Sequence, residues 1–298
     1  LKFFGKCRFP QTKIGWLGML LIVPFGSSVF DFALRMSARR QTQEIDCASG
    51  GRVSILGVQF DNLTMRGLVD AVDAALMDGG RRVLALSNPE FLVAANNNPF
   101  LRRYLNEIVD INVADGVGVL WAANLYGMPL RERVTGTDFV PELYKLAVAR
   151  GYRIFFLGGK PGVAERARNT LRTRYGVDVV AGCRDGYFGE AQESSIVREI
   201  NDSGADALMV CLGNPKQEEW IARHLDELAP RVVFGNGGAL DFWAGEVKRA
   251  PRWVQSMGME WLYRLGQDLT WTRLRRQSRL FTFVYLVIGK WLAKRDFA

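Results

Sequence analysis

The sequence predicts an α/β fold, with a parallel sheet carrying helices on both faces and a helical appendage at the C-terminus. Three observations carry that reading. From residue 52, short β-rich runs alternate with helical stretches at the spacing of strand–helix–strand units. Thr64 and Gly79 bracket the first helical stretch as a cap and a stop should. From residue 248 the alternation ceases and the chain reads as helix only. With no internal repeat or low-complexity tract, the alternating part is expected to be one Rossmann-like domain.

The expected strands are 52–58 (RVSILGV), 82–87 (RVLALS), 109–114 (VDINVA), 153–158 (RIFFLG), 177–182 (VDVVAG), 207–212 (ALMVCL) and 231–237 (RVVFGNG). Helical patterns cover 64–79, 136–151 and 161–176 between them. The expected organisation is a leader over 1–51, the α/β domain over 52–247 and a basic amphipathic appendage over 248–298.

The leader holds an apolar run, "IGWLGMLLIVPFG", behind Lys2, Lys6, Arg8 and Lys13. It resembles a signal peptide and is short against the roughly twenty residues of a membrane span. No small-x-small cleavage site follows closely, and residues 37–51 are polar. The expected start is therefore Met36, with the leader lying upstream of it.

The net charge of +8 has an address. Residues 248–298 carry eleven Lys or Arg against three acids, while the rest of the chain balances at 28 of each sign. The excess thus belongs to the appendage and suits an anionic partner, such as lipid headgroups or a diphosphate. Four scattered cysteines form no C-x-x-C pair, which points to a reducing compartment. The single histidine, His224, sits in a helical pattern, so a base is expected to be a carboxylate.

One carboxylate stands out. In "INVADGVGVLWAA" an apolar run ends on Asp115, with Gly116 and Gly118 beyond it. That puts the acid at the carboxyl edge of the sheet, where ligands bind in open α/β folds. It reads either as an N-cap of the next helix or as a functional acid.

Four further stretches follow strands. "SNPEF" offers Asn88, as a cap or a polar contact to a ligand. "LGGKPGVAE" runs through Gly158 and Gly159 into a helix start whose amides favour phosphate. "LGNPKQEEW" repeats that logic with Gly213, Lys216 and Gln217, and "GNGGALDFWAGEVKRAPRW" carries Asp241 and Arg249. Earlier, "LRERVTGTDF" sets Arg131 and Arg133 before a helix that Thr137 or Asp138 could cap; such an arginine binds phosphate bidentately. Each stretch alone is ordinary turn chemistry, but four such loops in one sheet point to a site.

The ordered set SNPEF, ADGVGV, ERVTGTDF, LGGKPG, GNPKQEEWI, GGALDFWAG and RAPRW…EWLYRL resembles the WecG/TagA/CpsF family of bacterial glycosyltransferases over about residues 52–276. Within it the sequence looks similar to the GumM-type glucosyltransferases of xanthan-like exopolysaccharide assembly. The resemblance implies transfer of a sugar from a UDP-sugar to a polyprenyl-diphosphate-linked saccharide at the cytoplasmic membrane face. Members that transfer N-acetylmannosamine tend to carry Thr two positions before the matching Asn. Here that position is Leu86, which points to glucose, with N-acetylmannosamine as the alternative.

By the same resemblance Asp115 matches the general base, and Asn88, Arg133 and Gln217 match positions lining the donor and acceptor pocket. Arg264 matches the first arginine of an appendage that neutralises the leaving UDP, with Arg273 and Arg276 as its partners. The chain holds no D-x-D motif, so no divalent metal and no cofactor are expected. The expected partners are the UDP-sugar, the lipid-linked acceptor and an anionic membrane surface, without nucleic acid; a homo-oligomer is left open.

The tail "RLFTFVYLVIGKWLAKR" has an apolar stretch over 280–292 flanked by basic residues. It reads as a helix lying in the membrane interface, or as a core helix packed on the domain. Two rival functions fare less well. A nucleotide-dependent oxidoreductase needs a glycine fingerprint that is absent, and a non-catalytic binding protein leaves the clustered loops without purpose.

Overall fold

The computed structural model describes residues 51–247, 250, 251, 254 and 271–295, with the side chains of the last helix described over 279–293. Its centre is a six-stranded parallel sheet. The strands are β3 (Arg82–Ser87), β4 (Ile111–Ala114), β5 (Ile154–Gly158), β6 (Val180–Arg184), β7 (Ala207–Cys211) and β8 (Val232–Gly235). They lie in the order β4-β3-β8-β7-β5-β6.

The expected strand at 52–58 is instead two. Leu56 and Gly57, with φ of 52° and 83°, turn the chain. β1 (Arg52–Ile55) then pairs antiparallel with β2 (Val58–Asp61), outside the main sheet. Two successive positive φ values suit the right-handed twist of a tight hairpin. Val53, Ile55, Val58 and Phe60 alternate along it and bury one face in the core.

The helices are α1 (Met65–Asp78), α2 (Pro89–Asn97), α3 (Pro99–Arg103), α4 (Val117–Leu125), α5 (Gly136–Arg150), α6 (Val163–Tyr175), α7 (Glu190–Asp202), α8 (Lys216–His224), α9 (Ala239–Trp243) and α10 (Trp271–Arg295); a π-turn covers Tyr104–Ile108. α1 begins at the expected cap, where Thr64 Oγ1 accepts from Gly67 N–H, and stops at Gly79 with φ 75°. α5 is capped by Thr135, not by Thr137 or Asp138: Thr135 Oγ1 accepts from Asp138 N–H at 3.1 Å. Thr135 has the extended backbone a cap requires, whereas Thr137 and Asp138 already lie in the first turn.

Strand residues divide the core by their period of two. In β5, Phe155 and Leu157 face one layer, with α2, α4, α7 and α8, while Ile154 and Phe156 face the other, with α1, α5, α6 and α9. Both faces of the sheet are therefore dry, as parallel strands require.

α10 joins the first layer. Phe283 and Val287, one helical turn apart, are fully buried there, and Tyr126 Oη donates to Val287 O at 3.2 Å. Its opposite face shows Phe281, Tyr285 and Leu292 at 64%, 77% and 50% exposure. No helix among the described residues is long and apolar enough to cross a membrane.

Candidate active site

The carboxyl ends of the six strands set their following loops in one row. In sheet order they bring Asp115, Asn88, Asn236, Gly213, Gly159 and Gly186 along one edge. The motifs are thus gathered by topology rather than by closeness in sequence.

Asp115 follows β4 and does not cap the helix after it. Gly116, with φ 123°, occupies that cap position and supplies no side chain. Asp115 N–H donates to Ser87 O, and its Oδ2 accepts from Gly136 N–H at 3.4 Å, at the first residue of α5. The carboxylate is thereby held against the positive end of a fifteen-residue helix. Gly136 lets the Asn236 side chain lie against the start of α5, since a Cβ there would displace Asn236 Oδ1.

Arg133 reaches the same place by backbone pairing. Val134 N–H donates to Ala114 O at 2.9 Å, which lays the 130–135 segment along the end of β4. Arg133 is half-buried there. Asn88, after β3, caps α2: its Oδ1 accepts from Phe91 N–H at 2.9 Å. What it can offer a ligand is therefore the Nδ2 amide. Beneath both loops lies a buried polar pair, with Ser87 Oγ donating to Asn112 Oδ1 at 2.7 Å and Asn112 Nδ2 donating to Gln59 O at 2.8 Å.

Gln217, at the start of α8, is 6% exposed. Its Nε2 donates to Glu218 Oε1 at 2.7 Å, and its Oε1 accepts from Gly237 N–H at 3.1 Å. Each end of the amide thus holds one partner within the protein, with a second N–H and a second lone pair beyond those bonds. Glu218 is 2% exposed and also accepts from Asn214 Nδ2 at 3.0 Å. Burial pushes its carboxyl up to about 7, against the lowering effect of its two amide donors.

The glycines differ in purpose. A Cβ on Gly158 would overlap the Cys211 backbone, so that glycine permits the close approach of β5 to β7. Gly159 N–H donates to Cys211 O at 3.2 Å and is not available to phosphate. Gly213, with φ 79°, faces open space. Beside these loops is an open cavity of about 930 Å³, lined by Gly159, Lys160, Tyr187, Lys216, Trp220 and Arg223 among others. Asp115, Asn88 and Arg133 are not in its wall. The row of loops thus carries an acid near one end and, toward the other, a cavity lined by both basic residues (Lys160, Lys216, Arg223) and acidic ones (Glu190, Glu193, Glu219).

Arg264 lies outside the described residues, as do the side chains of Arg273 and Arg276 on α10. Leu86 packs in the hydrophobic layer with Leu84 and Val113. Sequence reasoning missed two residues here, Asn236 and Glu218. Glu218 left a signal: it shares the buried face of α8 with Ile221, three residues on, where an acid is out of place.

The model of the glycosyl transferase WecG/TagA/CpsF family matches residues 53–297. The chain belongs to that family. It is similar to proteins of Staphylococcus aureus strains MRSA252, MW2 and NCTC 8325 / PS 47. Each is named N-acetylglucosaminyldiphosphoundecaprenol N-acetyl-beta-D-mannosaminyltransferase. Identity is 32% over 238 residues, covering 79% of this chain and 92% of each relative. The WecG/TagA/CpsF match spans both the sheet and α10, so the helix is part of the family's pattern rather than an addition to it.

Proposed function

We propose that this glycosyltransferase is an inverting enzyme that moves N-acetylmannosamine from a UDP-sugar to a polyprenyl-diphosphate-linked N-acetylglucosamine, with Asp115 as general base. The observation that carries the chemistry is the geometry of Asp115, a carboxylate at the sheet's ligand-binding edge held by the first amide of α5. It takes the proton from the acceptor hydroxyl as that oxygen bonds to the anomeric carbon. The bond from that carbon to the UDP oxygen breaks, and UDP leaves with the electron pair. Base catalysis of this kind contributes roughly 10²- to 10⁴-fold.

The cavity beside Gly159 supports donor binding. Its volume is suited to a nucleotide sugar, and Lys160 and Lys216 line it at the Gly159 and Gly213 loops, with Glu190, Glu193 and Glu219 also in its wall. The arginines at 264, 273 and 276 are assigned to the diphosphate by family resemblance, as electrostatic stabilisation of the leaving group. The absence of a D-x-D motif supports a metal-independent reaction.

On the donor sugar, the names of the relatives support N-acetylmannosamine over the glucose expected from Leu86. A departure at one position packed in the hydrophobic layer weighs less than resemblance along most of both chains. A peripheral site at the cytoplasmic membrane face is supported by the exposed Phe281, Tyr285 and Leu292 of α10 and by the basic residues around them.

The test is transfer from UDP-N-acetylmannosamine, UDP-N-acetylglucosamine and UDP-glucose to a short-chain lipid-diphosphate N-acetylglucosamine, with product anomer read by NMR. The expected result is an inverted product from the first donor. Turnover with UDP-glucose alone would return the donor to glucose, and a retained anomer would remove Asp115 from its role.

A further inference from the structure

We propose that Glu218 is a positioning residue for Asp115, acting through Gln217, the Asn236–Gly237 turn and the start of α5. The inference rests on the reading of Asp115 as the base. Glu218 Oε1 accepts from Gln217 Nε2 at 2.7 Å, which fixes which way that amide faces. Its other end, Oε1, is then the acceptor for Gly237 N–H at 3.1 Å. The amide lies close against the Gly235 backbone, where a Cβ would come within 2.5 Å of Gln217 Nε2, so glycine at 235 makes room for it. The neighbouring Asn236 donates its Nδ2 to Gly136 O at 3.0 Å, and Gly136 N–H donates to Asp115 Oδ2 at 3.4 Å.

Six residues on four segments, Glu218, Gln217, Gly237, Asn236, Gly136 and Asp115, are therefore linked across the sheet edge. Glu218 anchors its inner end: it is 2% exposed and its two oxygens take one donor each, from Gln217 and Asn214. Without an acceptor at 218, the Gln217 amide gains by turning its nitrogen elsewhere, since an unmet buried donor is costly. Turning it withdraws the acceptor from Gly237, and the turn that carries Asn236 loosens. The Gly136 amide, and with it the carboxylate of Asp115, loses its fixed place. Displacements of about 1 Å at a base, caused from a distance, cost on the order of 10²-fold in rate.

The experiment uses the full chain and compares Glu218→Leu, Glu218→Gln and Asn236→Ser with the wild type and Asp115→Asn. Transfer is measured with UDP-N-acetylmannosamine and the short-chain acceptor, and backbone amide exchange is measured at Gly136 and Gly237. Glu218→Leu should lower kcat about 10- to 100-fold with donor KM little changed. It should also speed exchange at both amides. Glu218→Gln should restore both, because its carbonyl still accepts from Gln217 and an amide flip at Asn214 meets its nitrogen. Asn236→Ser, too short to reach Gly136 O, should lower kcat even if Glu218→Leu fails to fold. Unchanged exchange at Gly136 in Glu218→Leu, or unchanged kcat in Asn236→Ser, would overturn the proposal. Full transfer by Asp115→Asn would instead overturn the base assignment, and the exchange data would still decide the role of Glu218.

Discussion

Asp115 Oδ2 and the backbone N–H of Gly136 lie 3.4 Å apart, so the carboxylate that ends β4 faces the start of a helix twenty-one residues downstream. The helix that follows Asp115 in the chain has Gly116, not the acid, at its cap position. The contact ties the end of β4 to the start of α5.

Asp115→Asn keeps the size and the acceptor oxygen but not the base. Transfer should fall by about 10²- to 10⁴-fold, with UDP-sugar affinity and melting temperature near wild type. Steady-state kinetics beside calorimetric donor binding checks this; transfer within a few-fold of wild type would reduce Asp115 to a structural acid.

Ser87→Ala removes the donor from a fully buried pair and leaves Asn112 Oδ1 without it. Destabilisation of about 1–3 kcal/mol is expected from an unmet buried polar group. Urea denaturation measures it, and a change under 0.5 kcal/mol would mean that water or a rotated Asn112 replaces the bond.

The two faces of α10 should separate in mutagenesis. Phe283→Ala, on the buried face, should cost about 3–5 kcal/mol through lost burial and the cavity it leaves. Changing Phe281 and Tyr285 together to Ser should leave the melting temperature nearly unchanged and weaken sedimentation with anionic vesicles. Equal vesicle binding by that double variant and the wild type would move the membrane contact elsewhere.

Glu218 makes stability depend on pH with a defined sign. Its carboxyl is raised from 4.5 to about 7 by burial, so between those values the folded protein binds the proton that the unfolded chain releases. Stability contributed by the protonated form is therefore full below about pH 4.5 and is lost as pH rises through about 7. The loss is on the order of 3 kcal/mol, at 1.36 kcal/mol per unit. Glu218→Gln cannot ionise and should be less sensitive across that window. Melting temperatures of both proteins from pH 5 to 8 give the comparison, and parallel curves would show that Glu218 does not titrate there.

Local patterns in the chain determined most of the fold. Strand β3 runs over 82–87 as its apolar run predicts, and Thr64 and Gly79 bound α1, because burial periodicity and backbone capping are short-range effects. The family, too, was legible, since its motifs occur in order along the sequence. Leu56 and Gly57 show where local reading failed: one apolar run became a hairpin, because nothing in the alternation of residues 52–58 distinguishes a straight strand from a turned one. The tertiary structure alone decided the partners of the polar groups. Asp115 found Gly136, Gln217 found Glu218 and Gly237, and Asn236 found Gly136, all but one across loops distant in sequence. Strand order sets these meetings, and a hydrogen bond is fixed by positions in space to within a fraction of an ångström. Residue type names the donors and acceptors; only the packed sheet brings each to its partner.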